Sequence, residues 1–582
     1  MPHHPVPKQI IRRPAPAQTG HFLDLHPLLR RIYLARNLSG PADLERTLAK
    51  LPSPSLLSGM ANLVDHLVVA LQSRQHLLIV ADFDADGATS CAVGLLGLKA
   101  MGAAQVSYAV PDRFKYGYGL TPAIVQVAAR QRPDVLITVD NGISSLEGVK
   151  AAKALGMKVL VTDHHLPGAE LPEADAIVNP NLAGDEFPSK ALAGVGVMFY
   201  VLMALRARLR EIGWFAQQGI AEPNLGQWLD LVALGTVADV VALDRVNRIL
   251  VYQGLQRIRL GQARPGIAAL LEVAGRKPAA AVAADLGFTV GPRLNAAGRL
   301  EDMGLGIECL LSEKPEAART MAIQLDQLNR DRREIEDQMK LDAFAILENL
   351  DTQKRAQDRA GICLFDASWH QGVIGILASR VKDRLHRPVI AFAPSGPGEI
   401  KGSARSIPGV HIRDVLSDIA VAYPGLLARF GGHAMAAGLS LERDAYPAFA
   451  KIFDVEVGKR LQGMDLAHTV HSDGELDAEE LRLECAELLQ QGGPWGQGFP
   501  EPLFDGEFEV VQARILAEKH LKLVLRTPDQ MRMIDGIAFF VDNPESWLGQ
   551  PRLRLAYRLD VNEFRDHRSV QLRIEYMETC GK

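Results

Sequence analysis

Between residues 76 and 165 the chain alternates short apolar runs with amphipathic stretches. The runs HLLIVA, VSYAV, DVLITV and KVLVT contain few polar residues, which is typical of strands covered on both faces. The stretches that follow the first three runs have the helical spacing of apolar positions. The alternation therefore predicts an α/β fold with a parallel sheet between two layers of helices.

The pattern changes twice further along the chain. Residues 190–260 have mainly helical spacing, and residues 313–350 keep it without any Gly, or any Pro after Pro315, which predicts one long helix joining two domains. The runs GICLFDAS, GVIGILASRVKDRL and PVIAFAP then indicate a second, smaller α/β region. Beyond about residue 462, five short strand-like runs separated by polar turns predict a small β-barrel of the OB type.

Composition narrows the classes of function. The chain has 582 residues and a net charge of -5, so it holds several domains and any nucleic-acid site must be a local basic patch. The five cysteines lie far apart and form no CxxC pair, which argues against a zinc ribbon or a disulfide framework and favours the cytoplasm. The Pro-rich first 20 residues lack an apolar core, and no run reaches 18 apolar residues. We expect a flexible tail there, without an export signal, and no membrane-spanning helix.

Polar clusters stand where the predicted strands end. DFDAD follows the first strand, DNG the third and DHH the fourth. Because ligands bind beyond the carboxyl ends of parallel strands, we expect the three clusters to meet in one site. Their acidic and His residues are Asp82, Asp84, Asp86, Asp140, Asp163, His164 and His165.

These residue types favour a metal site. Asp82, Asp84 and Asp86 occupy alternate positions, which share one face of an extended backbone, and clustered carboxylates repel one another unless a cation neutralises them. Mixed Asp and His ligands suit Mn²⁺ or Mg²⁺ better than zinc, and two such ions activate water and clamp a phosphoryl group. A DxDxD run is also typical of calcium loops and solvated turns. Asp239, in LGTVADVV, fits either a ligand or a helix cap.

The segments VADFDADGATS, VDNG, VTDHH and GTVADVV resemble the four successive motifs of the DHH phosphoesterase superfamily. A second set resembles, in the same order, segments of the RecJ family within it, and the matches span about residues 77–505. The second set is PDRFKYGYGL, LAGVGVMF, GPRLNAAGRL, WHQGVIGILASR, GSARS, FGGHAMAAG and GPWGQGFPEPLF.

The resemblance implies a parallel-sheet DHH domain joined by a long helix to a smaller α/β DHHA1 domain, with an OB-like β-barrel at the C-terminus. We place the boundaries from the changes of pattern described above. They are a flexible tail at 1–20, the DHH domain at 21–312, the connecting helix at 313–352, the DHHA1 domain at 353–462 and the OB-like domain at 463–582.

The resemblance also assigns roles at the metal site. Asp84, Asp86, Asp140, His164 and Asp239 match the metal ligands of the family, with Asp140 placed to bridge two ions.

The remaining residues of the clusters complete that assignment. His165 matches the residue that contacts the scissile phosphate or its metal, and we group it with Asp140 and Asp163 as catalytic. Asp163 is expected to orient the two histidines. Asp82 stands where related phosphatases have a His, and we expect it to bind metal or to support a ligand.

A set of phosphate-binding residues follows from the same resemblance. The forked guanidinium of an Arg and the N–H groups that glycines leave accessible suit phosphate. Alternatives also fit: a tight turn for the GGH segment, a surface salt bridge for Arg405 and core packing for Tyr118. The set contains Arg113 and Tyr118 in a loop for the 5′ end, Arg293, Asn295 and Arg299 in the same cleft, and Ser403, Arg405, Gly432 and His433 in the DHHA1 part.

Two further surfaces have open interpretations. Residues 376–413 carry seven Lys and Arg against two acids, which indicates either a basic wall or solvated helix faces. Trp369 and His370 either stack on bases or pack internally. The barrel region has arginines beside aromatic residues, as in a strand-binding groove or an ion-paired sheet face. These are Arg552, Arg554, Arg558, Arg565, Arg568 and Arg573, with Tyr557, Phe564 and Tyr576.

The resemblance implies a two-metal, 5′→3′ exonuclease on single-stranded DNA that acts in repair and recombination. Single-stranded DNA is the expected partner, together with a single-strand-binding protein and a RecQ-like helicase. One alternative is a phosphodiesterase for short oligonucleotides or cyclic dinucleotides, but such relatives usually lack a C-terminal barrel. Another is a non-catalytic replication scaffold, in which the metal motifs are eroded, whereas here they are intact.

Overall fold

In the computed structural model of this chain, the structure describes residues 8–14, 22–111, 116, 119–354, 359–462, 468–564 and 567–580, with all side chains except those of 348–354, 468 and 564. The described residues form two compact units. The smaller unit contains residues up to 11 together with 330–471, and the larger unit contains 12–329 together with 472 onwards.

Strands and helices alternate through most of the chain. The strands are β1 Lys8–Arg12, β2 His76–Ala81, β3 Gln105–Ala109, β4 Val135–Val139, β5 Lys158–Thr162, β6 Ala176–Val178, β7 Ile362–Phe365, β8 Val389–Gly396, β9 Glu399–Arg405, β10 Arg429–Gly432, β11 Ala436–Glu442, β12 His468–Ser472, β13 Phe504–Leu516, β14 His520–Arg526, β15 Met533–Ala538, β16 Arg552–Phe564 and β17 His567–Thr579. The helices are α1 Pro27–Leu34, α2 Met60–Gln72, α3 Ala85–Ala100, α4 Pro122–Ala129, α5 Leu146–Ala154, α6 Gly194–Glu211, α7 Trp214–Gln218, α8 Leu229–Ala238, α9 Arg245–Arg259, α10 Pro265–Val273, α11 Ala283–Asp285, α12 Gly291–Leu300, α13 Gly304–Leu311, α14 Pro315–Lys354, α15 Ile374–Leu385, α16 Ile412–Ala422, α17 Tyr446–Leu461 and α18 Leu483–Gly492.

A five-stranded parallel sheet organises the larger unit, in the order β3-β2-β4-β5-β6. The predicted α/β fold is thereby confirmed. Successive residues of β2 enter two different cores: Leu77 and Ile79 pack in the core that includes α3, α6 and α8, whereas Leu78 and Val80 pack with α4 and α5. Burial on both faces explains why these strands are apolar throughout.

The C-terminal strands β13 to β17 form the predicted barrel, closed in the order β13-β14-β15-β17-β16. Phe504, Phe508 and Tyr557 fill its interior and are at most 2% exposed. The same hydrophobic core continues from the barrel through α18 and α1 to the α/β part. The barrel and the parallel-sheet α/β part therefore belong to one compact unit, whereas the boundary expected at residue 463 lies close to the change of unit between His471 and Ser472.

The smaller unit is a second α/β fold with a mixed sheet. Its strand order is β10-β11-β9-β8-β7, in which only β7 and β8 run parallel. Helix α15 packs on one face of the sheet, and α16 and α17 pack on the other. The long helix predicted between the two α/β regions is α14, which runs through the boundary of the two units at residues 329 and 330.

None of the described helices is by itself long and apolar enough to cross a membrane, whereas the bent pair Leu48–Leu56 and Met60–Gln72 passes that test by length and composition when the two are joined.

The expected flexible tail at residues 1–20 is wrong for residues 8–12, which form β1. This strand pairs with β12, more than 450 residues later, and such a long-range partner leaves no local sequence signal. Arg12 at its end donates hydrogen bonds to both oxygens of the Asp505 carboxylate, at 2.9 Å from Nε and 2.9 Å from Nη2. Ser472 also donates to this fully buried carboxylate.

We expect Arg12→Ala to lower the free energy of unfolding of the larger unit by about 1 kcal/mol at neutral pH, since hydrogen bonds to charged groups contribute about 1.5–3 kcal/mol and Arg12 is half-exposed and screened. Burial opposes ionisation of Asp505, but the bonds from Arg12 and Ser472 outweigh it and hold its pKa below the usual value. A lowered pKa stabilises the fold above the unfolded-state pKa, and this is lost as pH falls through the folded value.

The difference between Arg12→Ala and wild type should therefore shrink as urea titrations are moved from neutral pH down through about pH 4. Gln9→Ala, at an exposed position of the same strand, is the control. A difference that stays constant with pH would contradict the assignment.

Candidate metal centre and anion-binding residues

The DFDAD segment turns from a strand into a helix within three residues. Asp82 directly follows β2, and Asp84 caps α3 by accepting hydrogen bonds from the N–H groups of Asp86 and Gly87 at 2.9 and 3.0 Å. Asp86 lies in the first turn of that helix. The expected extended backbone is thus wrong, because the chain has already become helical at Ala85, but the three carboxylates still lie at one end of the sheet.

Asp86 is held from behind by another helix. Its carboxylate accepts the N–H groups of Gly194 and Val195 at the start of α6, at 2.7 and 3.0 Å. A Cβ on Gly194 would lie 2.7 Å from the Cβ of Asp140, so only glycine permits this approach. Sequence reasoning did not assign this role to the LAGVGVMF segment, although its small residues before an apolar helix were a signal for close packing.

The remaining acidic and His residues come from three more elements. Asp140 follows β4 with φ at 61°, a left-handed conformation that costs energy for a residue with a side chain and is common at functional sites. Asp163, His164 and His165 follow β5, and Asp239 is the C-cap of α8. All of the predicted metal ligands therefore lie at or beyond the carboxyl ends of strands, or at the end of α8.

Among the described residues, three overlapping groups bring potential metal-ligand atoms within 4.8 Å of one another. Asp140 and His164 each belong to two of the groups, so the groups form one continuous centre. They are Asp82 with Asp84 and Asp140, Asp140 with His164 and His165, and Asp86 with His164 and Asp239.

Two atoms of this centre lack ordinary partners. Within the described part of the chain, the buried atoms Asp140 Oδ1 and His164 Nε2 make no hydrogen bond, although they lie only 3.1 Å apart. Asp239 Oδ2 lies 3.5 Å from the same nitrogen. Buried polar atoms are rarely left without a partner, and lone pairs that converge without a proton between them are what a cation requires. The donor set therefore fits divalent metal ions.

The electrostatics agree with that fit. Burial and the charge of Asp84 raise the pKa of Asp86 to about 7. Burial and neighbouring carboxylates, first of all Asp86, raise the pKa values of Asp140 and Asp239 well above their ordinary range. Burial and the charge of His165 lower the pKa of His164 to about 4, so its ring is neutral and able to bind metal at pH 7.

Asp163 organises the two histidines. Its Oδ1 accepts the backbone N–H groups of His164 and His165 and lies 2.7 Å from Nδ1 of His165. Desolvation opposes the charged form of His165, but the hydrogen bond and the charge of Asp163 outweigh it and raise the pKa of His165 to about 9. Asn179 and Asn181 fix the same turn by donating to the carbonyls of His165 and His164.

The GPRLNAAGR segment forms α12, and its residues face different ways. Asn295 accepts the N–H of Ala85 at 2.8 Å through Oδ1, so it supports the acidic loop directly. Arg293 is 8% exposed and binds Asp326 through Nε and Nη2 and the carbonyl of Thr289 through Nη1. A phosphate-binding role for Arg293 is therefore wrong, because its donors fasten α12 to α14. Arg299, at the last turn of α12, is partly exposed.

Arg113 and Tyr118, the two residues predicted to handle the 5′ end of the substrate, lie outside the described residues.

In the smaller unit, Ser403 and Arg405 on β9 meet the start of α15. Arg405 Nη1 lies 3.1 Å from Ser403 Oγ. A Cβ on Gly375 would lie 2.9 Å from both Arg405 Nη2 and Ser403 Oγ, so the first turn of the helix touches the pair. The first N–H groups of α15 receive no side-chain cap. A guanidinium, a hydroxyl and a helix N-terminus together suit an anion such as phosphate.

Gly432 and His433 lie on an exposed turn of the same sheet. Gly432 has φ at 146°, and a Cβ there would lie 2.4 Å from the carbonyl oxygen of Ala436. His433 donates its N–H to that carbonyl at 2.8 Å, which defines a tight turn between β10 and β11.

Three of the seven basic residues at 376–413 make local contacts that use their charge. Arg380 pairs with Glu336 and Lys382 pairs with Asp383. The guanidinium of Arg384 lies over the ring of Phe344. These contacts favour solvated helix faces over a basic wall.

The aromatic residues at the start of that region divide in the same way. Trp369 is 3% exposed and packs in the core of the smaller unit, so base stacking is wrong for it. His370 is partly exposed.

The arginines of the barrel are also paired. Arg558 and Arg573 bind Glu501 and Glu575, and Arg554 binds Asp505 and Glu578. Arg552 and Arg568 pair with Glu507 and Glu487, while Arg565 lies outside the described residues, as does the side chain of Phe564. The ion-paired sheet face is therefore the better interpretation.

Two exposed aromatic residues of the barrel were missed. Tyr557, which the sequence suggested for stacking, is fully buried, whereas Phe539 and Phe540 are 53% and 72% exposed. Phe540 donates its N–H to His520, and the ammonium of Lys519 lies 5.4 Å from its ring. The adjacent pair FF at a strand end was the only signal available in the sequence.

Family comparisons agree with this architecture. Residues 76–236 match the N-terminal domain of the DHH family, residues 358–459 match the DHHA1 domain, and residues 472–576 match the RecJ OB domain.

Curated relatives match over nearly the whole chain. A protein of Dickeya dadantii (strain 3937), named single-stranded-DNA-specific exonuclease RecJ, is 53% identical over 98% of this chain and 99% of its own length. The protein of the same name from Escherichia coli (strain K12) is 50% identical, covering 97% and 98%. The crystal structure of RecJ with Mn²⁺ from Thermus thermophilus superposes with a TM-score of 0.77 at 29% identity, covering 96% of this chain and 77% of that one.

Proposed function

This chain belongs to the RecJ family, and we propose that it is a 5′→3′ exonuclease specific for single-stranded DNA, hydrolysing phosphodiester bonds with the help of Mn²⁺ or Mg²⁺. The observation that carries this proposal is the continuous centre in which Asp140 and His164 each join two groups of potential ligands. When bound there, two divalent ions supply an activated water and positive charge for the phosphoryl group.

Each residue of the centre has a proposed task. Asp84, Asp86, Asp140, His164 and Asp239 would hold the ions, and Asp140 belongs to two of the ligand groups. Asp82 belongs to a group with Asp84 and Asp140 and is the sixth candidate ligand.

His165 and Asp163 act on the substrate side of the centre. His165 keeps a proton on Nδ1 towards Asp163, at 2.7 Å, and its half-exposed ring binds the scissile phosphate. Asp163 keeps that ring in place and remains ionised, because the hydrogen bonds from His165 and Ile143 outweigh burial and lower its pKa. Asn295 orders the acidic loop through Ala85.

The direction of degradation is proposed to come from the smaller unit. The Ser403 hydroxyl, the Arg405 guanidinium and the positive end of the α15 dipole are groups of the kind that bind a terminal phosphate. We assign them to the 5′ phosphate, together with Gly432 and His433 of the same unit. In the larger unit, Arg113, Tyr118 and Arg299 stay proposed phosphate-binding residues. A site that captures the end of a strand makes an exonuclease, because internal phosphates cannot present the same charge.

Digestion of end-labelled substrates tests the function. With Mn²⁺, we expect 5′-phosphorylated single strands to be shortened from the 5′ end, while blunt duplexes and cyclic dinucleotides stay intact. Release of nucleotides from the 3′ end would contradict the polarity. Faster cleavage of dinucleotides than of long strands would favour the short-substrate phosphodiesterase, and no hydrolysis of any substrate would favour a scaffold.

Single-stranded DNA is the partner that the relatives' name states. We further propose that the enzyme works in repair and recombination with a single-strand-binding protein and a RecQ-like helicase, which would supply its substrate as unwound strands. The five cysteines are unpaired, which supports a reducing cytoplasm as its location.

Long strands are proposed to contact the barrel through Phe539 and Phe540. We expect the Phe539→Ala/Phe540→Ala double variant to bind a long oligonucleotide about 10-fold more weakly, since stacking on one base contributes about 1–3 kcal/mol. Hydrolysis of very short oligonucleotides should not change. The barrel shares its core with the rest of the larger unit, so full-length variants are the suitable test.

Met531→Ala is the matched control, because this side chain is 83% exposed at the opposite end of β15. Equal affinities of the double variant, the control and the wild type for a long strand would exclude the two phenylalanines from binding.

A further inference from the structure

The backbone directly after Asp239 is strained. Val240 has φ at 62°, a conformation that is unfavourable for a β-branched residue. Its side chain is 64% exposed, so its own packing does not compensate. Contacts of the residues that follow must therefore maintain the strained conformation of Val240. The direction of the Asp239 carboxylate depends on this conformation, because Asp239 is the preceding residue.

The residues that follow are clamped by the segment GPWGQGF, which lies just before the barrel. Leu243 donates its N–H to the carbonyl of Gln497 at 2.7 Å. A Cβ on Gly496 would lie 2.7 Å from Leu243 Cδ1, and a Cβ on Gly498 would lie 3.1 Å from the Cβ of Ala242. Gly498 also has φ at 71°. Two glycines thus bring this segment against the loop as closely as backbone allows.

The clamping segment is itself rigid. The rings of Trp495 and Phe499 stack at 4.9 Å with an angle of 16°, and Trp495 Nε1 donates to the carbonyl of Leu489 at 2.8 Å. The guanidinium of Arg248 lies 4.5 Å from the ring centre of Phe499. Because the two stacked rings are held at both ends and have few alternative rotamers, a displacement of one end of the segment also moves the other end.

The segment is also tied to the barrel. Glu501, two residues after Phe499, binds Arg558 of β16 and Arg573 of β17, the latter at 3.1 Å. Strand β13 then begins at Phe504. A continuous path of contacts therefore runs from the barrel strands through Glu501 and the glycine segment to the loop after Asp239.

From this path we infer that the segment 495–499 is a positioning element for the metal ligand Asp239, and that it couples the barrel to the metal centre. The inference rests on the proposed function, since it assumes that Asp239 binds metal. Two further residues hold the same loop: Asn247 donates to the carbonyl of Ala242 at 2.8 Å, and Asp244 caps α9. The glycine segment adds its contacts with Ala242 and Leu243.

Gly498→Ala tests the inference in the full-length protein. It adds a Cβ against Ala242 at a position of positive φ, whereas the control Gly549→Ala has φ at 78° with no atom within 4 Å of its Cβ. Both variants therefore carry similar backbone strain in the same unit. We expect Gly498→Ala to bind Mn²⁺ about 10-fold more weakly than Gly549→Ala, a typical effect of removing support from a metal ligand. Electron paramagnetic resonance of free Mn²⁺ measures this binding without any turnover.

Kinetics give a second readout. For Gly498→Ala, kcat on a short oligonucleotide should fall and the Mn²⁺ concentration for half-maximal rate should rise. The affinity for a long single strand, measured in EDTA, should equal that of Gly549→Ala. If both glycine variants bind Mn²⁺ like the wild type, the positioning role is overturned. A wild-type protein that binds no Mn²⁺ or lacks nuclease activity would instead refute the proposed function.

A double variant covers the case in which Gly498→Ala does not fold. Gly496→Ala forces a Cβ onto Leu243 Cδ1, and Leu243→Ala removes that atom. We expect the Mn²⁺ affinity lost in Gly496→Ala to recover at least partly in Gly496→Ala/Leu243→Ala, because the strain passes through this contact. Additive losses in the double variant would show that the segment does not act through the loop, and would overturn the inference.

Discussion

Replacing Asp140 by Asn is expected to abolish Mn²⁺-dependent hydrolysis. Asp140 lies in two of the three groups of potential ligands, so its loss affects the whole centre. Divalent ions contribute several kcal/mol to stabilising the transition state. At about 1.4 kcal/mol for each factor of ten, the rate should fall at least about 10³-fold. Steady-state hydrolysis of a 5′-labelled single strand measures this loss.

The same variant should be no less stable than the wild type when metal is absent. Burial and the charges of Asp86, Asp84 and Asp239 raise the pKa of Asp140. A carboxyl with a raised pKa is most stabilising below its unfolded-state pKa, and its contribution is lost as pH rises through the folded value. At neutral pH in EDTA, the neutral amide should therefore raise the melting temperature, and Mn²⁺ should raise it much less than in the wild type.

Asp134→Asn is the matched control, because Asp134 is exposed just before the same strand β4, at the opposite edge of the sheet. It should keep full activity and a normal response to Mn²⁺. Near wild-type turnover by Asp140→Asn would exclude the shared-ligand arrangement, whatever its stability.

Arg405→Ala should remove the preference for a 5′ phosphate. Arg405, Ser403 and the first turn of α15 form the proposed anion site, and a charge-assisted hydrogen bond contributes about 1.5–3 kcal/mol. We therefore expect kcat/KM on 5′-phosphorylated strands to fall about 10- to 100-fold, at about 1.4 kcal/mol for each factor of ten. Strands with a 5′ hydroxyl should change little, since they offer no terminal phosphate to this site.

Arg443→Ala removes the same charge from the same unit at the other end of the β9–β11 ladder and is the control. It should not distinguish the two kinds of 5′ end. If Arg405→Ala slows both substrates equally, the residue contributes to general binding or to folding, and the terminal phosphate must be bound elsewhere.

Local patterns were sufficient for the main strands and helices. Strands β2, β4 and β5 are buried on both faces, so their sequences had to be apolar throughout, and α14 has helical spacing over most of its length. Strand β6 has only three residues at the sheet edge, too few to carry a pattern. Strand β1 depends on a partner at the far end of the chain, which no local window contains.

The candidate site shows the same division. The clustering of Asp and His at strand ends was predictable, because parallel strands bring their carboxyl ends to one edge. The shape of the DFDAD segment was not, since it depends on the N–H groups of α6 and on Asn295, both distant in sequence. Arg293 and Asn295 are two residues apart on α12, and only the packing of that helix against Asp326 decided which one supports the site.

The sequence by itself thus determined the α/β fold, the barrel, the order of the elements and the residue types of the metal centre, because periodicity and strand-end chemistry are local properties. Only the tertiary structure decided which charged and aromatic residues are free to act. Strand register pairs the barrel arginines with acids, and the irregular register at Ala556 and Tyr557 accompanies the burial of Tyr557. Burial and choice of partner depend on contacts between residues far apart in the chain, and these form only when the whole unit is folded.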